Sequence, residues 1–546
     1  MKIILNNKEI EVPQNTTIID LVKQYSFLNT VVGVKVNNEI VPMNDSVEAN
    51  DQVIFLYPND EDGNKIYKSG LKFVLIASIY ELFGQKLEVN FEHSIDKGIC
   101  FSINNYKEFT DQDVKIIKDK MQEIISADLP ITKVNVSKKD AITYYKKIAN
   151  YEKAQNIQNV SNIYVHLYKL KKYYNYFYTS MPYSTGVLNK YDIVYLEKNK
   201  FVLLFPVIGP KIYVPTYKHY PLNMKAFEDY KLWSNRLGVK DVCDVNYLVS
   251  HNKIKDFIMM NELYFQDIIL NTAHTIYNRK NIKVVFIAGP SSSGKTTTSK
   301  KLSLALETLG INILNISLDD YYLDQIQMPP EKVKNREFEN LELLDLKLFN
   351  DNLSSILKKE EVYLPKYDFV LGKKVYDIHP TKINDQTIII IEGLHALNDK
   401  LVNIIDLKKV YKIYVSPFQP LSIDRHNHMS TIDLRLLRRI VRDNQSRGVS
   451  PTITLNTWEN VREGEEKNIF PFMGNVDTVI NTSLIYEVGV LRVYVEPLLY
   501  SVDITSSAYD EANRLIEFLK IFYPIPSEYI SQDSFLREFI GGSIFK

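Results

Sequence analysis

Cysteine is nearly absent: Cys100 and Cys243 are the only two in 546 residues, and they lie far apart. They cannot form a disulfide framework or a cysteine-rich metal cluster, which predicts a reducing compartment. An excess of charge of either sign is also lacking, with 66 Lys and Arg against 66 Asp and Glu. That excludes a global pull toward nucleic acid or acidic membranes and leaves only local patches to supply one. Long hydrophobic runs are missing too. The start, MKIILNNKEIEV, turns polar after five residues and lacks the apolar centre of a signal peptide. The apolar stretch from Leu71 to Phe83 is too short to span a bilayer and contains Lys72 and Glu81. A cytoplasmic protein is expected, with no membrane contact. The chain shows no internal repeat and no low-complexity tract.

What is present is ordinary for a folded protein: 45% apolar and 24% charged residues. The length asks for about two to four domains. Residues 1–62 read as short strands around one helix: KIILNN and KEIEV flank a turn at Asn6 and Asn7, and Thr17 caps a helix through Ile18, Leu21 and Val22. VVGVKVNNEIV and QVIFLYP supply the remaining strands. Asn59–Lys65 (NDEDGNK) reads as a polar break. Residues 63–190 mix the helix Leu71–Phe83 with strands and amphipathic helices, an α+β pattern. Within them YKLKKYYNYFYTS, Tyr168 to Ser180, suits either nucleic-acid binding through phosphate contacts and stacking or a solvated strand with one aromatic face. Residues 191–280 read as a connecting region ending in a long helix, Asn261 to Arg279. From 281 to 500 continuous apolar strands (KVVFIAG, INILNIS, TIIIIEG, VYKIYVS, DTVIN) alternate with helical segments, which implies a parallel α/β sheet covered on both faces. Residues 501–546 form a helical extension.

The strand Val284–Ala288 runs into GPSSSGKTT, in which Gly289, Gly294, Lys295 and Thr296 fit the phosphate-loop pattern GxxxxGK[ST]. Glycines let the backbone wrap an anion, so that amides from Gly289, Pro290, Ser291, Ser292, Ser293, Gly294 and the helix start at Thr297 surround it (proline contributing only its turn). Lys295 would reach the β- and γ-phosphates of ATP, and Thr296 would help to hold Mg²⁺. Phosphoryl transfer to a hydroxyl also needs a carboxylate at the acceptor, another near the metal, and positive charge over the moving group. INILNIS ends at SLDDYYLD, so Asp319 and Asp320 stand at the carboxyl edge of the sheet, where ligands of such sheets bind. Asp319 is read as the base; turn or cap duty is the alternative for adjacent acids. Glu392 follows four isoleucines and is expected at Mg²⁺, and His395 stands close by, either touching substrate or serving structure. Arg435, Arg438, Arg439 and Arg442 recur every three or four residues on one helical stripe, either a solvated basic face or a mobile lid; beside a phosphate loop the lid is expected.

With GPSSSGKT, SLDDYY, LPKYDF, IIIIEG and DLRLLRRIVRD assembled, residues 281–500 resemble the uridine kinase and phosphoribulokinase family. The resemblance implies an ATP-dependent kinase acting on the 5′-hydroxyl of a nucleoside such as uridine or cytidine. It implies Asp319 as base and Thr296 and Glu392 on the metal side. Tyr322, Tyr367 and His395 would lie about the acceptor, and Glu339 or Glu342 at its ribose hydroxyls. Arg435 would sit at the substrate, with Arg438 acting on the transferred group and Arg439 and Arg442 on ATP. One departure bears on specificity: Gly372 stands where uridine kinases carry a base-reading histidine. Residues 1–62 resemble the TGS domain, a ubiquitin-like β-grasp module, and residues 63–190 look like the editing domain of threonyl-tRNA synthetase. The four metal-ligand positions of that domain fall on Ser69, Phe73, Phe177 and Met181, which cannot bind zinc. A kinase for another sugar or sugar phosphate, with Lys373 and Lys374 near the acceptor, and an RNA- or ribosome-associated ATP-binding regulator remain as alternatives. An oligomer is compatible with all of them.

Overall fold

The computed structural model describes every residue save 28–29, 96, 160–162, 208–211, 335–338, 369–370, 403–404 and 546. Phe369 of the LPKYDF motif quoted above therefore lies outside the described residues. The amino-terminal unit is a five-stranded sheet in which the first strand, Lys2–Leu5, pairs in parallel with the last, Gln52–Leu56. Its two tight hairpins turn on asparagine pairs at positive φ, Asn6–Asn7 and Asn37–Asn38, residues that tolerate the left-handed region those turns require. Thr17 caps the helix Ile18–Tyr25 by accepting from the Asp20 amide, and Ile18, Leu21 and Val22 are buried on the sheet. This is the β-grasp arrangement expected.

The polar run Asn59–Lys65 is not a break. A helix begins at Glu61 and continues to Phe83, and the polar residues are used to seat its first turn. Asp60 accepts from the Tyr57 amide at 2.6 Å, and buried Asn64 donates to the carbonyls of Pro58 and Pro206 at 3.0 and 3.2 Å. Gly63 allows the close approach, since a Cβ there would lie 1.9 Å from the Tyr57 oxygen. This helix covers a four-stranded antiparallel sheet in which Glu88–Ile95 and Gly98–Asn104 are joined by Lys200–Leu204 and Asp192–Glu197. The stretch read as connecting structure thus opens with a hairpin that completes the preceding sheet, and three helices follow it: Pro221–Arg236, Val242–Ser250 and Ile254–Asn278. The lysine- and tyrosine-rich segment forms the hairpin Tyr164–Leu170 and Tyr173–Asn175. Within the segment Leu170 and Tyr173 are buried while Lys171 and Lys172 are exposed.

The carboxy-terminal half carries a five-stranded, wholly parallel sheet in the order Asn312–Ser317, Thr387–Glu392, Val284–Ala288, Val410–Ser416, Thr478–Asn481. The middle strands are buried on both faces, which is why they read as unbroken apolar runs. The phosphate loop leaves the central strand, Glu392 ends the strand beside it, and Asp319 follows the outer strand next to that one, all at the same edge. After the helix Tyr509–Leu519 the chain returns as a strap and ends against that edge.

A small hairpin, Ser422–Asp424 with Asn427–His428, reaches from the kinase half into the front half. There Lys153, fully buried, meets Asp424 at 3.2 Å and Asn175 at 2.6 Å. Arg425 forms an ion pair with Glu152, and its carbonyl accepts from the Phe91 amide at 2.8 Å. Removing one member of a buried pair strands the other, which typically costs about 3–5 kcal/mol. Asp424→Asn is expected to lower unfolding stability by about that amount, measured by chemical denaturation. An unchanged midpoint would mean that Lys153 is satisfied without the carboxylate.

Candidate active site

Local sequence explains the loop. Gly289 passes so close to the next strand that a Cβ would lie 2.1 Å from the Val415 oxygen, and Gly294 takes φ +83° as it enters the helix Lys295–Glu307. Lys295 is folded back to donate to the Pro290 carbonyl at 3.2 Å. Burial lowers the pKa of its ammonium, while Glu392 and Asp319 oppose the shift. Thr296 donates to Glu392 at 3.4 Å, and Ser317 donates to the same carboxylate oxygen at 3.0 Å. Burial first, and the nearby Asp319 second, push the Glu392 pKa up to about 7. Two acids crowded beside a hydroxyl, one of them desolvated, form an oxygen donor set that suits a hard divalent cation.

The adjacent acids divide their duties. Asp319 stands in the electrostatic reach of Lys295 and Glu392, whereas Asp320 accepts from the Tyr367 amide at 3.1 Å and so anchors the strand Pro365–Asp368. Tyr322 and Tyr367 meet edge to face at 5.8 Å, and burial, followed by Asp319 and Glu339, holds the Tyr322 hydroxyl pKa well up. His395 is buried, neither ring nitrogen has a hydrogen-bond partner among the described residues, and burial drives its pKa down to about 4. It is a neutral imidazole near Lys295. Of the two glutamates read for the ribose, Glu339 is buried and lies 3.4 Å from Arg439, while Glu342 is exposed and paired with Lys332.

The arginine stripe on the helix Thr431–Arg447 is not a free-standing lid. Arg435 forms a two-pronged pair with buried Glu465 at 2.6 and 2.8 Å, and it also donates to the Ser291 carbonyl. Arg438 is fully buried, paired with Glu487 at 2.7 Å, and donates to the carbonyls of Ser292 and Thr482. Both therefore brace the loop from behind. Arg439 donates to the Ser291 hydroxyl at 2.8 Å, and Arg442 contacts Asp443, with its pKa pushed down to about 10 by burial and by Arg447. Sequence reasoning missed Glu465, Glu487 and Glu538. None was given a role by the phosphate-loop or carboxylate motifs, and only their positions in space supply one.

The family model described as Phosphoribulokinase / Uridine kinase family matches residues 284–486, and that of the ThiS family matches residues 2–59. A uridine kinase of Staphylococcus haemolyticus is 31% identical over 181 residues, which are 33% of this chain and 78% of that protein. A uridine kinase of Oceanobacillus iheyensis is 28% identical over 199 residues, covering 36% of this chain and 85% of that one. The chain belongs to the phosphoribulokinase and uridine kinase family. It is an ATP-dependent kinase in its carboxy-terminal half, joined to a ubiquitin-like front. Among solved structures, a possible uridine kinase from Bacillus stearothermophilus is similar at 19% identity, over 37% of this chain and 89% of that one, with a TM-score of 0.26. No helix among the described residues is long and apolar enough to cross a membrane.

The carboxy-terminal strap of the kinase bears directly on the loop. Glu538 accepts from the Thr297 amide at 3.2 Å and from its hydroxyl at 2.7 Å, groups at the helix start that favour an anion. Lys301 pairs with Asp533, and Phe535 and Phe539 lie against the Arg438 guanidinium. A carboxylate thus holds helix-start donors of the kind that suit an anion. Glu538→Gln keeps the shape but removes the competing charge and is expected to tighten ATP binding about tenfold, or ~1.4 kcal/mol. Equilibrium dialysis showing equal or weaker binding would mean that Glu538 does not compete with phosphate.

Proposed function

We propose that the kinase transfers the γ-phosphoryl group of ATP to the 5′-hydroxyl of a nucleoside, uridine or cytidine in kind. The observation that carries this reading is the convergence of Lys295, Asp319 and Glu392 at one sheet edge, beside an aromatic wall of Tyr322 and Tyr367. Loop amides and Lys295 bind the terminal phosphates and offset charge as it develops on them. Thr296 and Glu392 would hold Mg²⁺, which supplies charge neutralisation between phosphates when bound. Asp319 orients the acceptor hydroxyl and takes its proton as the oxygen attacks phosphorus. Glu339, kept in place by Arg439, accepts from sugar hydroxyls. Arg435 and Arg438 are positioning residues that hold the loop backbone, while Arg439 and Arg442 face the nucleotide side.

A sugar-phosphate acceptor is less well supported. Of the two lysines read near that acceptor, Lys374 is spent on Asp345 at 3.0 Å and on the Tyr322 carbonyl, and Lys373 is exposed to solvent. Gly372 adopts φ +63°, and a Cβ there would press on Gln325, so the position read as base-contacting in uridine kinases is here a packed turn. The base is therefore recognised by the tyrosines and neighbouring backbone, which predicts broad tolerance among nucleobases. The front half, read as TGS-like and editing-like, contributes no chemistry to this reaction. Ser69 bonds Thr179, and Phe73 lies 5.5 Å from Phe177.

The test is a phosphoryl-transfer screen with Mg²⁺ and ATP across nucleosides, ribulose 5-phosphate and related sugars; product formed only from phosphorylated sugars would sink the nucleoside reading. With the accepted substrate, Asp319→Asn is expected to retain ATP binding while kcat falls about 100-fold or more. Near-normal turnover in that variant would remove Asp319 from the base role. Lys295→Ala is expected to lose transfer by about 100- to 1,000-fold, followed by release of ADP.

A further inference from the structure

In the second unit, the strands Glu88–Ile95 and Gly98–Asn104 pair Phe91 with Phe101 and then Ser94 with Ile99. Two residues, Glu92 and His93, therefore oppose the single Cys100. Such a bulge re-aims side chains, and bulges concentrate next to functional sites. Here it gathers three unlike donors: a carboxylate oxygen, an imidazole nitrogen and a thiol sulfur lie within 4.8 Å of one another.

His93 has no satisfactory account as a packing residue. It is 8% exposed, and neither ring nitrogen has a hydrogen-bond partner among the described residues. Its ring stacks on Phe227 at 3.8 Å, which fixes its plane and leaves its nitrogens to the cluster. A buried polar group without a partner typically costs about 1–3 kcal/mol. Neutral imidazole is the form that binds metals. Glu92 uses one carboxylate oxygen for Ser102 at 2.9 Å and Lys231 at 3.0 Å. Its other oxygen has no hydrogen bond among the described residues. Cys100 is wholly buried and unbridged.

We propose that Glu92, His93 and Cys100 form a binding site for a borderline-soft divalent cation of the zinc type. Sulfur, nitrogen and oxygen donors together suit zinc and its neighbours and are poor for Mg²⁺, which takes oxygen ligands. The site is thus chemically distinct from the Thr296 and Glu392 pair of the kinase. It also differs from Ser69, Phe73, Phe177 and Met181, which offer no such donor set. Binding exchanges the thiol proton for a metal–sulfur bond and releases that proton to solvent. Three protein ligands leave a fourth position for water or a small molecule. Lys231 and Phe227, both on the helix Pro221–Arg236, lie against the site, Lys231 pairing with one Glu92 oxygen, while the charge of the two anionic ligands matches that of a divalent cation.

Cobalt(II) is the probe, because a cobalt–thiolate bond gives a charge-transfer absorption that oxygen and nitrogen ligands do not. The full-length protein, stripped with chelator, is titrated with Co²⁺ alongside Cys100→Ser, Cys243→Ser and His93→Ala. The expected result is one Co²⁺ per chain with a thiolate band, displaced by Zn²⁺ but not by excess Mg²⁺. The band should be lost in Cys100→Ser, retained in Cys243→Ser, and weakened at least about tenfold in affinity in His93→Ala. Since the chain has only two cysteines, a band in Cys243→Ser has only Cys100 as its source, even if Cys100→Ser fails to fold. Absence of the band in the parent protein, its loss in Cys243→Ser, its survival in folded Cys100→Ser, or its displacement by Mg²⁺ would overturn the proposal.

Discussion

The phosphate loop is held in shape by two buried arginine–glutamate pairs beneath it. Backbone that wraps an anion points its amides inward, which leaves carbonyls facing the protein, where they need donors. Arg435 and Arg438 supply them at Ser291 and Ser292, whereas the Ser291 amide, read from the sequence as a phosphate donor, is instead turned to the protein side and donates to Glu465 at 2.7 Å. Each guanidinium is itself neutralised by a carboxylate that is completely buried, Glu465 or Glu487. Buried pairs of this kind add little net stability against an apolar alternative, but losing one partner is severe. Their value here is geometric, because they fix where the amides point before nucleotide arrives.

This explains why the arginine stripe was legible as arginines near phosphate but not as what it does. Spacing along a helix shows which residues share a face; it cannot show whether that face is covered. The covering glutamates come from 30 and 49 residues further along the chain, and Glu538 meets Thr297 across 241 residues. By contrast, the loop, Asp319 and Glu392 were legible because each directly follows an apolar strand, and a parallel sheet brings such ends to one edge. The asparagine turns and the Thr17 cap were readable for the same reason, being set by neighbours in sequence. The polar run at Asn59–Lys65 misled because Asn64 spends its amide on Pro206, a partner 142 residues away.

The same limit governs the cluster in the second unit. Two cysteines in the whole chain argue against a cysteine-rich site, and the argument holds for such sites. A mixed site needs only one sulfur, and nothing in the spacing of Glu92, His93 and Cys100 marks the bulge that faces all three the same way. Strand register is a property of the pair of strands, not of either alone.

The hairpin carrying Asp424, Arg425 and His426, whose buried ring lies 3.2 Å from the Asn175 side-chain oxygen, departs from the kinase sheet and finishes inside the front half. An enzymologist choosing where to divide this protein would cut near residue 280, where the composition changes. That cut would leave a naked aspartate and a histidine ring in water on one fragment and a stranded lysine in an opened crevice on the other. The chain has a visible seam in its sequence and none in its energetics, so the catalytic half carries its neighbour as part of its own foundation.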